Sequence, residues 1–250
     1  MSQFDWDVLT LFPEIIQVYA ESGIIGRAQK DGKISVRVHL LRDFTRDKHR
    51  TVDDYPYGGG EGMVLKPEPI FRAVDLIRER QPETKVILLS PQGHVFNQAA
   101  AERLASKSRA LTLICGRYEG VDDRVLTHLV DEEISIGDYV ISGGELAALV
   151  LIDAVSRNLP GVVGDERSVV SDSFSGGLLK HAQYTRPEKY RGMKVPEILL
   201  SGHHAKIKRY QRYCALKKTF CSRPDLLEKA ELSEEDREML RRIREEDQEQ

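Results

Sequence analysis

The 250-residue chain has little cysteine and no arrangement of it that builds a site. Cys115, Cys214 and Cys221 are odd in number and form no Cys-x-x-Cys pair, so neither a disulfide framework nor a zinc site is indicated. No apolar run approaches the roughly 20 residues that cross a bilayer. Met1 to Asp7 carries acids where a secretory leader carries bases, so a cytoplasmic protein with no membrane partner is expected. No Gly-x-x-x-x-Gly-Lys-Ser/Thr run and no Gly-x-Gly-x-x-Gly run opens a predicted helix, which argues against a pyrophosphate ligand. No Gly-x-Ser-x-Gly occurs, which removes support for a serine hydrolase.

What the chain does have is a set of three glycine-bearing turns, each after an apolar stretch. They are Ser90-Pro91-Gln92-Gly93 after Leu89, Gly116-Arg117-Tyr118-Glu119-Gly120, and Ile136-Gly137-Asp138-Tyr139-Val140-Ile141-Ser142-Gly143-Gly144-Glu145. Between strands and helices, such turns let backbone N–H and C=O groups approach a ligand. Without a phosphate cradle, they suit an uncharged purine edge and ribose held among Leu88, Leu89, Ile136, Val140 and Ile141. An adenosine-type cofactor fits this pattern.

Charge is sorted along the chain. Residues 1–175 hold 20 basic and 27 acidic side chains, residues 176–230 hold 13 and 4, and residues 231–250 hold 4 and 9. From Ser201 to Pro224 there is no acid, and Lys206, Lys208, Arg209, Arg212, Lys217, Lys218 and Arg223 alternate with Tyr210, Tyr213 and Phe220. Cations with aromatics nearby match phosphate contact plus base stacking, so this stretch is the expected nucleic-acid footprint. His203-His204 reads as a surface or RNA-facing pair, because adjacent side chains diverge.

Hydrophobic periodicity supplies the architecture. Ile34 to Leu40 and the stretch around Trp6, Val8 and Thr10 alternate as strands with one wet face. Val86 to Leu89, Leu111 to Cys115 and Ile134 to Ile136 read as buried strands, with Cys115 a small core residue at a strand end. Helices are expected at Pro67 to Glu79, Gln98 to Ser106, Val121 to Val130, and from Gly144 through Ala154. Alternating β and α predicts a parallel sheet with helices on both faces. Residues 160–177 read as a linker. Beyond it Ile207, Tyr210 and Cys214 share a helix face, and Ser233-Glu234-Glu235-Asp236 has capping-box spacing ahead of Met239, Leu240 and Ile243. One large and one small domain are expected.

Read in order, these segments resemble the bacterial tRNA (guanine-N1)-methyltransferases of the SPOUT superfamily. The resemblance rests on the three glycine turns together with Arg42-Asp43-Phe44-Thr45, His49-Arg50-Thr51-Val52-Asp53-Asp54, Pro56-Tyr57-Gly58-Gly59-Gly60-Glu61-Gly62-Met63, Asp172-Ser173-Phe174, Tyr184-Thr185-Arg186-Pro187, Leu199-Leu200-Ser201-Gly202-His203-His204 and Arg223-Pro224-Asp225-Leu226-Leu227. It covers nearly the whole chain. It implies a deep trefoil knot in a methyltransferase domain over residues 1–160, a flexible linker over 161–176 and a small helical tRNA-binding domain over 177–250.

The resemblance also implies function. It implies S-adenosylmethionine as methyl donor, held by Leu89, Ser90, Pro91, Gln92, Gly93, Gly116, Tyr118, Glu119, Gly120, Ile136, Gly137, Asp138, Tyr139, Val140, Ile141, Gly143 and Gly144. The acceptor is the guanosine 3′ of the anticodon, tRNA nucleotide 37, and the partner is a second copy in a homodimer whose active sites are shared between subunits. Asp172 is the implied general base for guanine N1, and Arg157 the guanidinium that stabilises charge on O6. Lys206, Arg209, Arg212 and Arg186 are expected on the tRNA. A Mg2+ requirement points to Glu119. The chain departs from the family pattern at Tyr210-Gln211, where a Trp-Arg pair is common, and at Val169-Val170-Ser171, where acids are common. Two other readings stay open, a nucleotide-dependent oxidoreductase and a non-catalytic RNA-binding protein. The first leaves the basic stretch unexplained and the second leaves the glycine turns unused.

Overall fold

Strand β1 (Phe4–Thr10) leads through helices α1 (Pro13–Ala20) and α2 (Gly23–Lys30) into β2 (Ile34–Leu40). A short antiparallel ribbon of β3 (Asp53–Asp54) and β4 (Val64–Leu65) precedes α3 (Pro67–Arg80). Strand and helix then alternate through β5 (Lys85–Val95), α4 (Gln98–Lys107), β6 (Ala110–Cys115), α5 (Asp123–His128), β7 (Glu132–Ser135) and α6 (Glu145–Ser156). The computed structural model describes residues 3–164 and 172–248. The chain divides into two compact units, Met1–Glu166 and Arg167–Gln250.

The first unit is built on a five-stranded sheet in the order β2-β1-β6-β5-β7, with every pairing parallel. Alternate side chains of the strands enter two separate cores, as the period of two requires. Trp6, Val8, Ile87, Leu89, Leu111 and Leu113 pack with residues of α1, α2, α4 and α6. Leu9, Val86, Leu88 and Ile114 pack with Ile70, Val74 and Ile77 of α3 and Val125 of α5. Helices therefore cover both faces. Local signals start several of them: Pro67 opens α3, where the missing N–H is harmless, and the Asn97 and Asp122 side chains cap α4 and α5 by accepting backbone N–H bonds.

β1 was to show one wet face, but it lies between β2 and β6 and is buried almost throughout. Its polar residue Asp7 is fully buried and is held by Arg37, His39 and Arg80. Burial pushes the Asp7 carboxyl up, yet the hydrogen bonds from His39 and Arg37 and the charges of Arg37 and Arg80 outweigh it and hold the group below its ordinary value. Trp6 is likewise buried with its indole N–H donating to Ser156 Oγ at 3.2 Å, tying β1 to the end of α6.

The second unit has a hairpin of β8 (Lys189–Tyr190) and β9 (Met193–Lys194), turned by Arg191-Gly192 with φ of 50° and 85°. Both residues in the left-handed region make this the two-residue turn that matches strand twist. Helices α7 (Glu197–Leu200), α8 (His204–Ser222), α9 (Pro224–Leu227) and α10 (Glu234–Gln248) follow. Their core gathers Leu178, Leu216, Met239, Leu240 and Ile243. The capping box forms: Asp236 N–H donates to Ser233 Oγ at 3.1 Å, while Ser233 N–H and hydroxyl donate to Asp236 Oδ2 at 2.9 and 2.8 Å. In the expected linker, residues 161–164 and 172–177 form no helix or strand, and residues 165–171, which include Val169-Val170-Ser171, lie outside the described residues.

Candidate active site

The site begins with a defect in a strand. Leu89 and His94 of β5 both face Ile134 of β7, so Ser90 to Gly93 loop out of the ladder. Gly93 allows this because a Cβ there would stand 2.4 Å from the Glu133 carbonyl carbon and the Ile134 nitrogen. The next strand, β6, ends at the buried Cys115 and releases the loop of Gly116 to Gly120. Tyr118 sits there at φ 57°, a left-handed conformation that a non-glycine side chain holds only when its surroundings fix it. The fixing bonds are visible: Gly120 N–H donates to the Arg117 carbonyl, Glu119 N–H to that of Met63, and Leu65 N–H to that of Gly120.

The third loop runs from Ile136 to Gly144 and is stitched to the second. Gly144 N–H donates to the Gly116 carbonyl at 2.9 Å, and Arg117 and Gly143 form a β-bridge. A Cβ on Gly144 would stand 2.7 Å from Cys115 Cα, so the loops close only around glycine. Adjacent strands β6, β5 and β7 thus bring all three loops to the rim of one cavity of about 510 Å3.

Of the residues that the sequence assigns to the methyl donor, all but two line this cavity. Gly93 supports the wall from behind, against Glu133, and Asp138 is exposed on the third loop. Leu88, Leu89, Ile134, Ile136, Val140 and Ile141 give the cavity apolar surface, while Glu119, Asp123 and Glu133 supply its carboxylates. The Glu119 side chain packs over Gly62, whose φ is +85°; a Cβ at Gly62 would meet Glu119 Cγ at 2.6 Å.

A buried polar knot behind the cavity escapes the sequence reading. Glu145, the first residue of α6, is 2% exposed. It accepts the Thr10 hydroxyl at 2.7 Å and Arg117 Nη2 at 3.2 Å. The Arg117 guanidinium lies 4.2 Å over the Phe12 ring, and its Nε is buried with no partner among the described residues. Thr10 closes β1, Arg117 lies in the second loop and Glu145 opens α6 just after the third, so this cluster joins the parts of the cavity. Burial, then the Glu145 charge, push the Cys115 thiol well above its ordinary value, which favours the protonated form of this packed side chain. An acid at a helix start was the only signal available for Glu145.

The remaining assigned residues are placed as follows. Arg157 is the C-cap of α6, and its charge acts on Tyr19, whose phenol is pushed up to about 12 by its hydrogen bond to Asp153. Asp172 belongs to the second unit and pairs with Lys180 Nζ at 2.8 Å. Lys206 and Arg186 are exposed. Arg209 pairs with Glu235 at 3.0 Å between exposed side chains, whereas Arg212 grips Asp236 with two nitrogens. Among the described residues no three His, Cys, Asp or Glu side chains gather as a metal cage, and no helix is long and apolar enough to cross a membrane.

Comparison with known proteins bears on this geometry. A family model described as tRNA (Guanine-1)-methyltransferase TrmD matches residues 4–229. The chain is 55% identical over 240 residues to the tRNA (guanine-N(1)-)-methyltransferase of Dictyoglomus turgidum, covering 96% of each chain. It is 55% identical over 238 residues to that of Dehalococcoides mccartyi, covering 95% of this chain and 96% of the relative. With the enzyme of the same name from Halalkalibacterium halodurans it shares 52% over 239 residues, covering 95% and 97%. A match that spans both the three-loop cavity and the helical unit leaves one assignment: the chain is a methyltransferase and belongs to the tRNA (guanine-1)-methyltransferase family.

Proposed function

We propose that this chain transfers a methyl group from S-adenosylmethionine to N1 of the guanosine 3′ of the anticodon, nucleotide 37 of tRNA, in the cytoplasm. The observation that carries this reading is the convergence of three loops on one cavity whose walls offer backbone groups and apolar side chains. A nucleoside needs such a wall. The glycines at 116, 120, 137, 143 and 144 would admit the donor's polar edge, and Leu89, Ile136, Val140 and Ile141 would pack against its base. Once bound, the donor supplies an electrophilic methyl on a positively charged sulfur, which is already a good leaving group.

The protein's task is then to prepare and align the acceptor. Guanine N1 carries a proton at neutral pH, and the Asp172 carboxylate removes it. The electron density that gathers on O6 is stabilised by a hydrogen bond from the Arg157 guanidinium. The N1 lone pair forms the new bond to carbon as the carbon–sulfur bond breaks, and its electron pair stays on sulfur. Extruding the base from its stack costs about a few kcal/mol, which contacts elsewhere on the RNA must offset. Lys206, Arg186 and Arg209 are offered for those contacts. Arg212, whose guanidinium holds Asp236, would serve mainly to keep its helix in place.

The proposal includes a trefoil knot in the first unit and a homodimer with shared active sites. Support for the dimer comes from α1 and α6, which leave Val18 71% and Leu146 57% exposed beside Ile15 and Val150. An apolar face of that kind is covered in most soluble proteins. For Mg2+, one or two carboxylates with water and substrate suffice, and Glu119 at the cavity wall would supply one of them. Titrating Mg2+ against wild type and Glu119→Gln tests this, an unchanged dependence removing Glu119.

The function is tested by incubating the protein with labelled S-adenosylmethionine and unmodified tRNA and mapping the product. Label on N1 of nucleotide 37 is expected. Label elsewhere, or calorimetric binding of NAD in place of the donor, overturns the reading.

A further inference from the structure

Three of the six Lys and Arg side chains of α8 are answered by acids of a single helix. Acids of α10 meet cations of α8 at three levels: Glu235 with Arg209, Asp236 with Arg212, and Glu246 with Lys217. Met239, Leu240 and Ile243 lie between these levels in the core of the unit. Three of the nine acids of residues 231–250 are thus turned toward α8.

A row of exposed arginines lies elsewhere on the same helix. Arg237, Arg241 and Arg244 recur at intervals of four and three, which places them in one stripe on a helix. With Glu234, Leu232 and Leu240 they line an open cleft of about 390 Å3. Arg237 and Arg241 are 58% and 68% exposed, and their partners are Glu234 and Glu238. Ion pairs between exposed side chains contribute about 0–1 kcal/mol, so an incoming phosphate displaces them at little cost. From Arg237 to Arg244 the helix rises about 10 Å. Three guanidinium forks along that length suit successive phosphates of one strand.

We infer that the arginine stripe of α10 is a contact surface for the sugar-phosphate backbone of the tRNA. This rests on the tRNA reading above and extends it to a helix whose overall composition is acidic. Charge complementarity selects the occupant: the cleft lining carries three guanidinium groups against one carboxylate, and its apolar floor is limited to Leu232 and Leu240. A peptide or a second copy of the chain would find little to bury there.

The test measures binding, separately from methylation. Unmodified tRNA is titrated into wild type and the triple variant Arg237→Gln, Arg241→Gln, Arg244→Gln across salt concentration. Gln keeps the helix and removes the charge. Neutralised phosphates release counterions, so the logarithmic salt slope is expected to fall by about two to three units and the affinity at low salt by tenfold or more. Donor affinity and the melting temperature are expected to stay at wild-type values, which shows that the variant is folded. Arg242→Gln, off the stripe, controls for general charge and is expected to change the slope far less. An unchanged slope in the triple variant, or an equal drop per charge in Arg242→Gln, overturns the inference while leaving the methyltransferase reading intact. Wild type that binds tRNA through the stripe but methylates nothing supports the inference and sinks that reading; wild type that binds no tRNA overturns both.

Discussion

Arg212 and Asp236 meet through two parallel hydrogen bonds, Nε to Oδ1 at 2.7 Å and Nη2 to Oδ2 at 2.9 Å, across the joint between α8 and α10. The hydrogen bond from Arg212 comes first among the forces that lower the Asp236 carboxyl to about 2, with Ser233 assisting against the opposing effect of burial. A carboxyl depressed in the folded state stabilises fully above its unfolded value near 4 and loses that contribution as pH falls toward 2. Stability of the second unit is expected to drop by about 1–2 kcal/mol across that window, allowing for the partial exposure of Arg212. Urea melts followed by helical circular dichroism at pH 6, 4 and 2 check it, and Asp236→Asn should flatten the difference. Trp6 is the sole tryptophan and lies in the first unit, so its fluorescence should be unmoved by Arg212→Ala.

Gly93→Ala and Gly144→Ala are expected to damage the cavity by different routes to the same end. The new methyl would meet backbone atoms at 2.4 Å in the first and 2.7 Å in the second. Overpacking against atoms that cannot swing aside costs about 1–3 kcal/mol. Gly164→Ala, with nothing within 4 Å and no positive φ, is the benign control. Thermal melts and donor calorimetry should show both losses in the first two variants and neither in the third.

Glu145→Gln should weaken the first unit by about 3 kcal/mol, because it removes the charge that faces the largely buried Arg117 guanidinium. Thr10→Val is expected to cost less, about 1–2 kcal/mol, by leaving one Glu145 oxygen short of a donor. Since Arg117 and Glu145 flank the stitched loops, donor affinity should fall with stability in the glutamine variant. Normal affinity with reduced stability would separate the cluster from the cavity.

Asp172→Asn should bind donor and tRNA as wild type does and lose nearly all single-turnover methylation. Arg157→Ala should lower the same rate by about 100-fold to 1,000-fold, the range for removing one group that stabilises developing charge. Rapid-quench assays with saturating tRNA distinguish chemistry from binding. Near-normal rates in the asparagine variant would remove Asp172 from the mechanism.

The alternation of strands and helices was legible because Val86 to Leu89 of β5 and most of β6 are continuous apolar runs, while a helix such as α3 keeps Ile70, Val74 and Ile77 on one stripe. Ser233 and Asp236 announced their cap by spacing alone. Other features were not legible. The wet face expected for β1 is absent, since Asp7 enters the core held by Arg37, His39 and Arg80, drawn from β2 and α3 and distant in sequence. The ribbon of β3 and β4 is too short to show a period. The stripe of Arg237, Arg241 and Arg244 was hidden by summing charge over a segment, which discards the angle at which each side chain leaves the helix.

The sequence by itself determined the longer strands and helices and the identity of the glycines that a close approach of backbone demands, because these depend on neighbours a few residues away. It also carried the family, through motifs spread over the chain. Tertiary structure alone decided that three separated loops share one cavity, that Glu145 sits buried between Thr10 and Arg117, and that cations of α8 are answered by acids of α10. Those are relations between distant segments, and strand order and helix packing, which no local propensity encodes, set the distances at which their charges act.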